Sequence, residues 1–500
     1  MIDDSAPLVR GLARNPATPL DVLLRLIERS PVPATEGLAG RRDLPMPLQE
    51  ALLSHPSSGV RAALAAHDDV DPRIRFRLCS DSDVLVMTQA LGRPEQRPLS
   101  DDMLNAMLSM IEDWPSGRLL TGAELSSELT SAVGGRRLYR LSAVHADPRV
   151  RRTVAEYPRL LDEPLREALL ADPVPEIRAV VAAALAEDRR IMQPADLPGH
   201  HCGRRWNVLQ RPLSRALVDR VVAGGDPESL WYLAANPTTP PDVVRALLAH
   251  PDSDIRGRLV HRTDLSAAQL RDLAADPAAE VRTAVSVHPA LTEHQRAAID
   301  IDVTTDASDG HYGSRHRCHW SLLHRHQDQA PPLADALRWA GSVNPLLRRR
   351  AARNPGLPAE SVAVLTDDPD LGVRLLLARN HPGAPPALLL RGFLEHRGCG
   401  RDELPELPQF PAEGLAAFAG RHADPEVRRL AARDPAADPA LIERLCADQD
   451  AGVRHAMAAC PRLPAASVVA LLDDPELAEH AAANPSLPAV QREGILLLCR

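Results

Sequence analysis

The sequence predicts an all-α protein: a solenoid of two-helix repeats, each about 26 residues long, interrupted by irregular insertions. Three observations point there. The first is a returning phrase, DPAAEVRTAVSVHP from Asp276, DPEVRRLAARDP from Asp424 and DQDAGVRHAMAACP from Asp448, always with an apolar residue before an arginine. The second is its period: Ile255 to Val281, Leu347 to Val373 and Val427 to Val453 are each 26 residues apart, Val150 to Ile177 is 27 and Val453 to Leu477 is 24. The third is composition. Hydrophobic residues make up 44% of the 500 and aromatics only 3%, so the core must be thin layers of Ala, Leu and Val, which suits short, closely stacked helices.

The stretch from Asn354 to Pro382 shows how one repeat is written. Asp368 followed by Pro369 reads as a helix start, because the carboxylate can accept orphan amides of the first turn and proline gives up an amide that has no partner there. Val373, Leu376 and Leu377 then fall on one helical face and predict the inner wall. Asn380, His381 and Pro382 stop the helix, since proline lacks the donor and pushes its predecessor out of the helical region. A shorter helix precedes it from Pro358 to about Thr366, with Val362 and Leu365 one turn apart. Neither is long enough to be stable alone in water, so the units must stack.

In chain order, Met1 to about Ser30 reads as a capping unit, with Asn15-Pro16 ending one helix and Pro19 to Glu28 forming the next. PVPATEGLAGRRDLP, from Pro31 to Pro45, reads as a loop by its turn residues. Val60 to Ala66 resumes the repeat. The pattern is lost between 92 and 135, although Met103 to Ile111 keeps helical spacing, and it returns at Val150 and Ile177. SLWYLAANP from Ser229 fits without the arginine. Breaks follow at about Arg189 to Arg211, Thr304 to Pro332 and Glu395 to Pro411. Each sets a cysteine beside arginines and histidines, at Cys202, Cys318 and Cys399, and GLAGRRDLP near Leu38 is a copy lacking the cysteine. These predict a super-repeat of roughly a hundred residues. The expected blocks are 1–190 with the cap and the 92–135 insertion, 191–300, 301–394 and 395–500, all in one continuous superhelix.

The recurring NPxxP, the leucines of the short helix and the DPxxVR phrase resemble the leucine-rich repeat variant family, related in style to HEAT-like repeats. The resemblance covers about two thirds of the chain and implies a right-handed solenoid that alternates α-helices with 3₁₀ or short helices. The founding type carries an amino-terminal cysteine cluster for an iron-sulfur centre. Here the chain begins MIDDSAPLVRGLARNP and its first cysteine, Cys79, is solitary, so that cluster is not expected.

A net charge of −9 gives no general attraction to nucleic acid or anionic membrane. All 58 basic residues other than histidine are arginine, the mark of a GC-rich coding sequence before any function. Seven cysteines without framework spacing fit a reducing compartment. The acidic start without an apolar run, and apolar stretches no longer than Ile495 to Cys499, predict neither a leader nor a membrane span. The expected location is cytoplasmic.

Two constellations carry candidate chemistry. Arg151, Arg178, Arg256, Arg282, Arg348, Arg374, Arg428 and Arg454 each follow the inward apolar residue and lie about 100° around the helix from it. Stacking aligns them into a column. One reading makes the column a ladder, each arginine pairing with a carboxylate of the next unit, since acids such as Glu176, Asp254, Glu280 and Glu426 are close by. The other makes Arg256, Arg282, Arg348, Arg374, Arg428 and Arg454 contacts for a partner. The second constellation is Cys202, Cys318, His319 and Cys399, whose thiolates and imidazole are the ligand types of zinc. No CxxC pair or finger spacing accompanies them, and a solvated polar loop without a cofactor is expected. The asparagines at 236, 354, 380 and 484 read as satisfiers of helix ends, and Cys460 as a small buried hydrophobe.

No nucleotide-binding glycine loop, HExxH or GxSxG is present. The expectation is a non-catalytic scaffold that binds a protein or extended peptide on a concave face. The rival from another class is a HEAT-like DNA-binding protein or alkyl-base DNA glycosylase, for which Trp206, Trp231, Tyr232, Trp320 and Trp339 would supply aromatics. A third reading is a metal-binding repeat protein using the Cys/His insertions.

Overall fold

The computed structural model describes residues 5–41, 43–67, 69–91, 100–109, 135–199, 203–303, 330–396 and 401–498. They form an all-α fold of short helices with 3₁₀ pieces. No strand occurs among the described residues, only an isolated bridge between Met192 and Leu213. The chain packs as two compact units, one comprising Met1–Leu185 with Ala412–Arg500 and the other Ala186–Pro411.

The repeat at Asn354 shows the local logic at work. The Ala359–Thr366 helix buries Val362 and Leu365, and the Leu371–Asn380 helix buries Val373, Leu376 and Leu377. The phase read from the sequence holds in the other repeats: Val281, Val285, Val427, Leu430 and Val453 are all within 2% of complete burial. Cys460 is buried as well.

The Asp-Pro start takes two forms. Asp147, Asp226 and Asp424 are N-caps, each accepting an amide of the first turn. Asp368 is not the cap of its helix; Asp370 is, accepting the Val373 amide at 2.9 Å. Asp368 sits two residues earlier and accepts the Asp370 amide at 2.9 Å, closing an Asx turn. Asp172, Asp276 and Asp448 do the same for Val174, Ala278 and Asp450. The difference is spacing. A capping Asp stands three or four residues before the inward apolar residue, whereas a turn-forming Asp stands five before it.

Pro31 to Pro45 departs from the expected loop, because Pro31–Leu38 is a helix. Its prolines lie in the first turn, where no intrahelical donor is required. Its glycine serves packing: a Cβ on Gly37 would stand 2.2 Å from the carbonyl oxygen of Arg10. That glycine lets the Pro31–Leu38 helix cross closely over the Ala6–Arg14 helix.

The Ala6–Arg14 helix, first of the segment read as a cap, is covered on both sides. Pro31–Leu38 packs on one side and Ala478–Ala482, near the other end of the chain, on the other. A Cβ on Gly11 would stand 2.0 Å from the carbonyl oxygen of Glu479, so the close crossing seen at Gly37 recurs here one repeat earlier.

Candidate functional site

The residue that ends each first helix reaches back to the preceding repeat. Asn484 Nδ2 donates to the carbonyls of Ala458 and Cys460 at 2.8 and 2.7 Å. Asn15 does the same to Ala482 and Asn484 at 3.0 and 2.6 Å. Arg41 follows, donating to Asn15 at 2.5 Å, and His67 Nε2 lies 2.9 Å from the Arg41 carbonyl. The Nδ1 of His67 accepts the Asp69 amide, which assigns the ring proton to Nε2 as donor. The other unit repeats the order, with Asn236 bonded to Leu209 and Arg211, Arg262 to Asn236, and His288 to Arg262. Asn, Arg and His recur 26 residues apart in both units. Asn354 reaches back to Pro331, while Asn380 satisfies Leu376 of its own helix. Terminal carbonyls left open by one helix are thus closed by the next repeat.

Beside this row runs the arginine column. Arg256 forks onto Asp276 through Nε and Nη2 at 2.7 and 2.8 Å, and its Nη1 donates to the carbonyls of His250 and Pro251. Arg348 makes the same pattern with Asp368, Ser342 and Val343, and Arg428 with Asp448, His422 and Ala423. Arg61 with Asp81 and Arg151 with Asp172 complete the set. Each turn-forming Asp thus holds its own turn with one oxygen and receives the guanidinium of the preceding repeat.

The next arginine along uses the same aspartate differently. Arg282 donates to the carbonyl of Asp276, Arg374 to that of Asp368 and Arg454 to that of Asp448. Their remaining donors meet Asp300, Glu395 and Glu476. Arg178 donates to the carbonyls of Asp172 and Pro173. Side chains of the six arginines considered as partner contacts, Arg256, Arg282, Arg348, Arg374, Arg428 and Arg454, keep between 6% and 23% of their exposure. All six are engaged in contacts between repeats.

The acids in the forked pairs of Arg61, Arg151, Arg256, Arg348 and Arg428 are not those adjacent in sequence to the arginines. They are the aspartates five positions before the next inward apolar residue. At the equivalent position of the repeat that donates the arginine stand His55, His145, His250, Ser342 and His422. That alternation of His or Ser with Asp is the sequence signal for which arginine meets which acid. Hydrogen bonding to Arg151 holds the Asp172 carboxyl below its ordinary value of 3.8, and Arg428 does the same for Asp448.

A second row, one residue after the column, is more open. Arg10 bonds Glu479 at 2.9 Å and lies 3.5 Å from Glu36. Arg429 meets Glu426 at 2.9 Å and Asp450 at 3.3 Å. His455 Nε2 is 3.4 Å from Glu476. Arg10, Arg429 and His455 keep about a third of their side-chain surface exposed. The ring of His455 stacks on that of His480 at 4.2 Å, only 5° from parallel.

Cys202, Cys318, His319 and Cys399 lie outside the described residues, as does Trp320. Among the described residues no group of three or more His, Cys, Asp or Glu is placed to hold a metal. Nor is any helix among them long and apolar enough to cross a membrane. Trp206, Trp231 and Tyr232 do come together: Trp206 stacks on Tyr232 at 6.5 Å, Trp231 meets Tyr232 edge-on at 5.1 Å, and Arg258 lies 3.8 Å over Trp231. Trp339 stands apart from them beside Arg338. Neither the family models nor the curated proteins compared with this chain give a match.

Proposed function

We propose that the helix pairs of each unit build a right-handed α-solenoid of the leucine-rich repeat variant or HEAT-like kind, and that it acts as a cytoplasmic, non-catalytic scaffold for a protein or extended peptide. The observation that carries this reading is the second row. Arg429, His455, Glu479 and Arg10 stand on successive stacked first helices, one per repeat, and of these Arg429, His455 and Arg10 keep about a third of their side-chain surface while the column arginines beside them are more deeply engaged. Stacked helices lie about 8–10 Å apart, so such a row meets a partner at several evenly spaced points, each contributing little. The column supplies rigidity and the neighbouring row supplies recognition.

Affinity capture with the full chain tests this, using two triple variants side by side. Arg10→Ala with Arg429→Ala and His455→Ala is expected to lose a captured protein with a smaller drop in melting temperature than the column variant. Arg256→Ala with Arg348→Ala and Arg428→Ala is expected to lower the melting temperature. A partner retained by the first triple moves the binding face elsewhere. Excision of alkylated bases from DNA by the wild-type protein overturns the scaffold reading in favour of the glycosylase rival.

A further inference from the structure

The helices that lead from the last repeats onto the first leave three side-chain nitrogens buried together. His455 on Ala451–Ala458, His480 on Ala478–Ala482 and Arg14 on Ala6–Arg14 belong to three helices stacked in sequence. Nε2 of His455, Nδ1 of His480 and Nε of Arg14 are each buried without a hydrogen-bond partner, the Glu476 carboxylate standing 3.4 Å from the first while already bonded to Arg454. A buried nitrogen without an acceptor is tolerable on a neutral imidazole and far costlier on an imidazolium.

We propose that this seam is a pH-sensitive latch, closed while His455 and His480 are neutral and loosened when the stacked pair takes up protons.

The surrounding charges decide the sign. On the last repeat, Glu479 is already bonded to Arg10 at 2.9 Å and lies 3.6 Å from Arg14, and Glu476 is already bonded to Arg454. Pro31–Leu38, packed on Ala6–Arg14, adds Glu36 at 3.5 Å from Arg10, so the carboxylates of Glu36, Glu476 and Glu479 are already matched by the guanidiniums of Arg10, Arg14 and Arg454 before either histidine is charged. Among the other packed helices, Arg429 is held by Glu426 and Asp450, while Arg428 is held by Asp448. Pro439–Leu445 brings Glu443, occupied by Ser467, and the exposed Arg444; Ala465–Leu471 brings no titratable group. A proton on either ring thus enters a site whose acids are already committed to guanidiniums. A second proton sets two cations face to face at 4.2 Å.

Burial first, then His455, holds the His480 imidazole below its ordinary 6.5, with Arg14 acting in the same direction and Glu479 and Glu476 against it. The opened seam therefore binds protons more readily than the closed one. Seam stability is full above the ordinary imidazole value and declines as pH falls below it. The latch is a property of the chain alone, so its failure and failure of the binding face are read by different experiments.

Hydrogen exchange on the full chain at about pH 7.5 and about pH 5.5, corrected for intrinsic rates, tests it. Amides of Ala6–Arg14 and Ala478–Ala482 are expected to lose protection about tenfold or more at the lower pH, relative to Ser58–Ala65 as reference. The His455→Gln, His480→Gln double variant is expected to abolish the difference. If that variant does not fold, the single His480→Gln variant is expected to shrink the difference, because it removes one of the two stacked rings. Uniform loss across both regions, or loss retained by the variant, overturns the latch.

Discussion

Asn15 donates to the carbonyl of Asn484 at 2.6 Å, and Asn484 donates to the carbonyl of Cys460 at 2.7 Å. Asn15 and Asn484 are 469 residues apart in the chain, yet they hold consecutive rungs of one row. The first repeat therefore stacks on the last in the same register that joins repeats adjacent in sequence. In unit-by-unit stacking, an end with no neighbour needs a polar cap. Here the first repeat covers the face that Ala478–Ala482 presents, and Arg25 with Glu493 extends the contact to the second helices at 3.0 Å.

Replacing Asn484 with alanine removes two donors to buried carbonyls from a fully buried position. The expected cost is about 1–3 kcal/mol, the penalty of leaving buried acceptors unsatisfied. Urea unfolding measures it, and a loss below about 0.5 kcal/mol would mean that the rung is replaceable by solvent.

Gly11 and Gly494 make a matched pair of glycine-to-alanine changes. At Gly11 the new methyl meets the Glu479 carbonyl at 2.0 Å, a backbone atom that cannot swing away, so Gly11→Ala is expected to cost about 1–3 kcal/mol or more. At Gly494, within Ala489–Leu498, nothing lies within 4 Å. Gly494→Ala is expected to stabilise by up to about 1 kcal/mol, through the lower entropy of the unfolded chain and better helix propensity. Thermal melts that rank the two variants the other way would refute the close crossing.

The arginine column predicts a particular acid sensitivity. Asp172 and Asp448 titrate below 3.8 in the folded protein, chiefly through their hydrogen bonds with Arg151 and Arg428. A carboxylate with a depressed folded value contributes stability that is present above its unfolded value and disappears as pH falls through the folded one. The column's contribution to stability is therefore expected to hold down to about pH 4 and to fall steeply below it. Asp448→Asn should be less stable at neutral pH and show a shallower acid limb in circular dichroism; an unchanged limb would remove the pair from the explanation.

Much of the repeat was legible before any coordinates. The phase of Val281, Val373, Val427 and Val453 follows from a period of 26, because one face of each helix must be apolar if short helices are to be stable at all. The column was legible as a row of arginines, but its acids were not. Glu176 and Glu280 sit beside their arginines in sequence, whereas the true partners of Arg151 and Arg256 are Asp172 and Asp276, some twenty residues downstream. Adjacent residues in a helix project in directions about 100° apart, so nearness in sequence is a poor guide to pairing. The stack of His455 on His480 joins two different helices and so leaves no local pattern in the sequence.

What the amino-acid order determined by itself was the repeat, its apolar wall and its stops, since these depend on side chains within a few turns of one another. Only the tertiary structure decided that Pro31–Leu38 is a helix rather than a loop. Gly37 gains its meaning from the Arg10 carbonyl pressed against it. Only it decided that the first repeat meets the last, through Asn15, Arg10 and Gly11. Consecutive repeats offer nearly the same register to any neighbour, so the sequence specifies how two units stack but not which two. That choice is made by contacts between residues far apart in the chain, such as Asn15 with Asn484 and Arg10 with Glu479, which no local window of sequence contains.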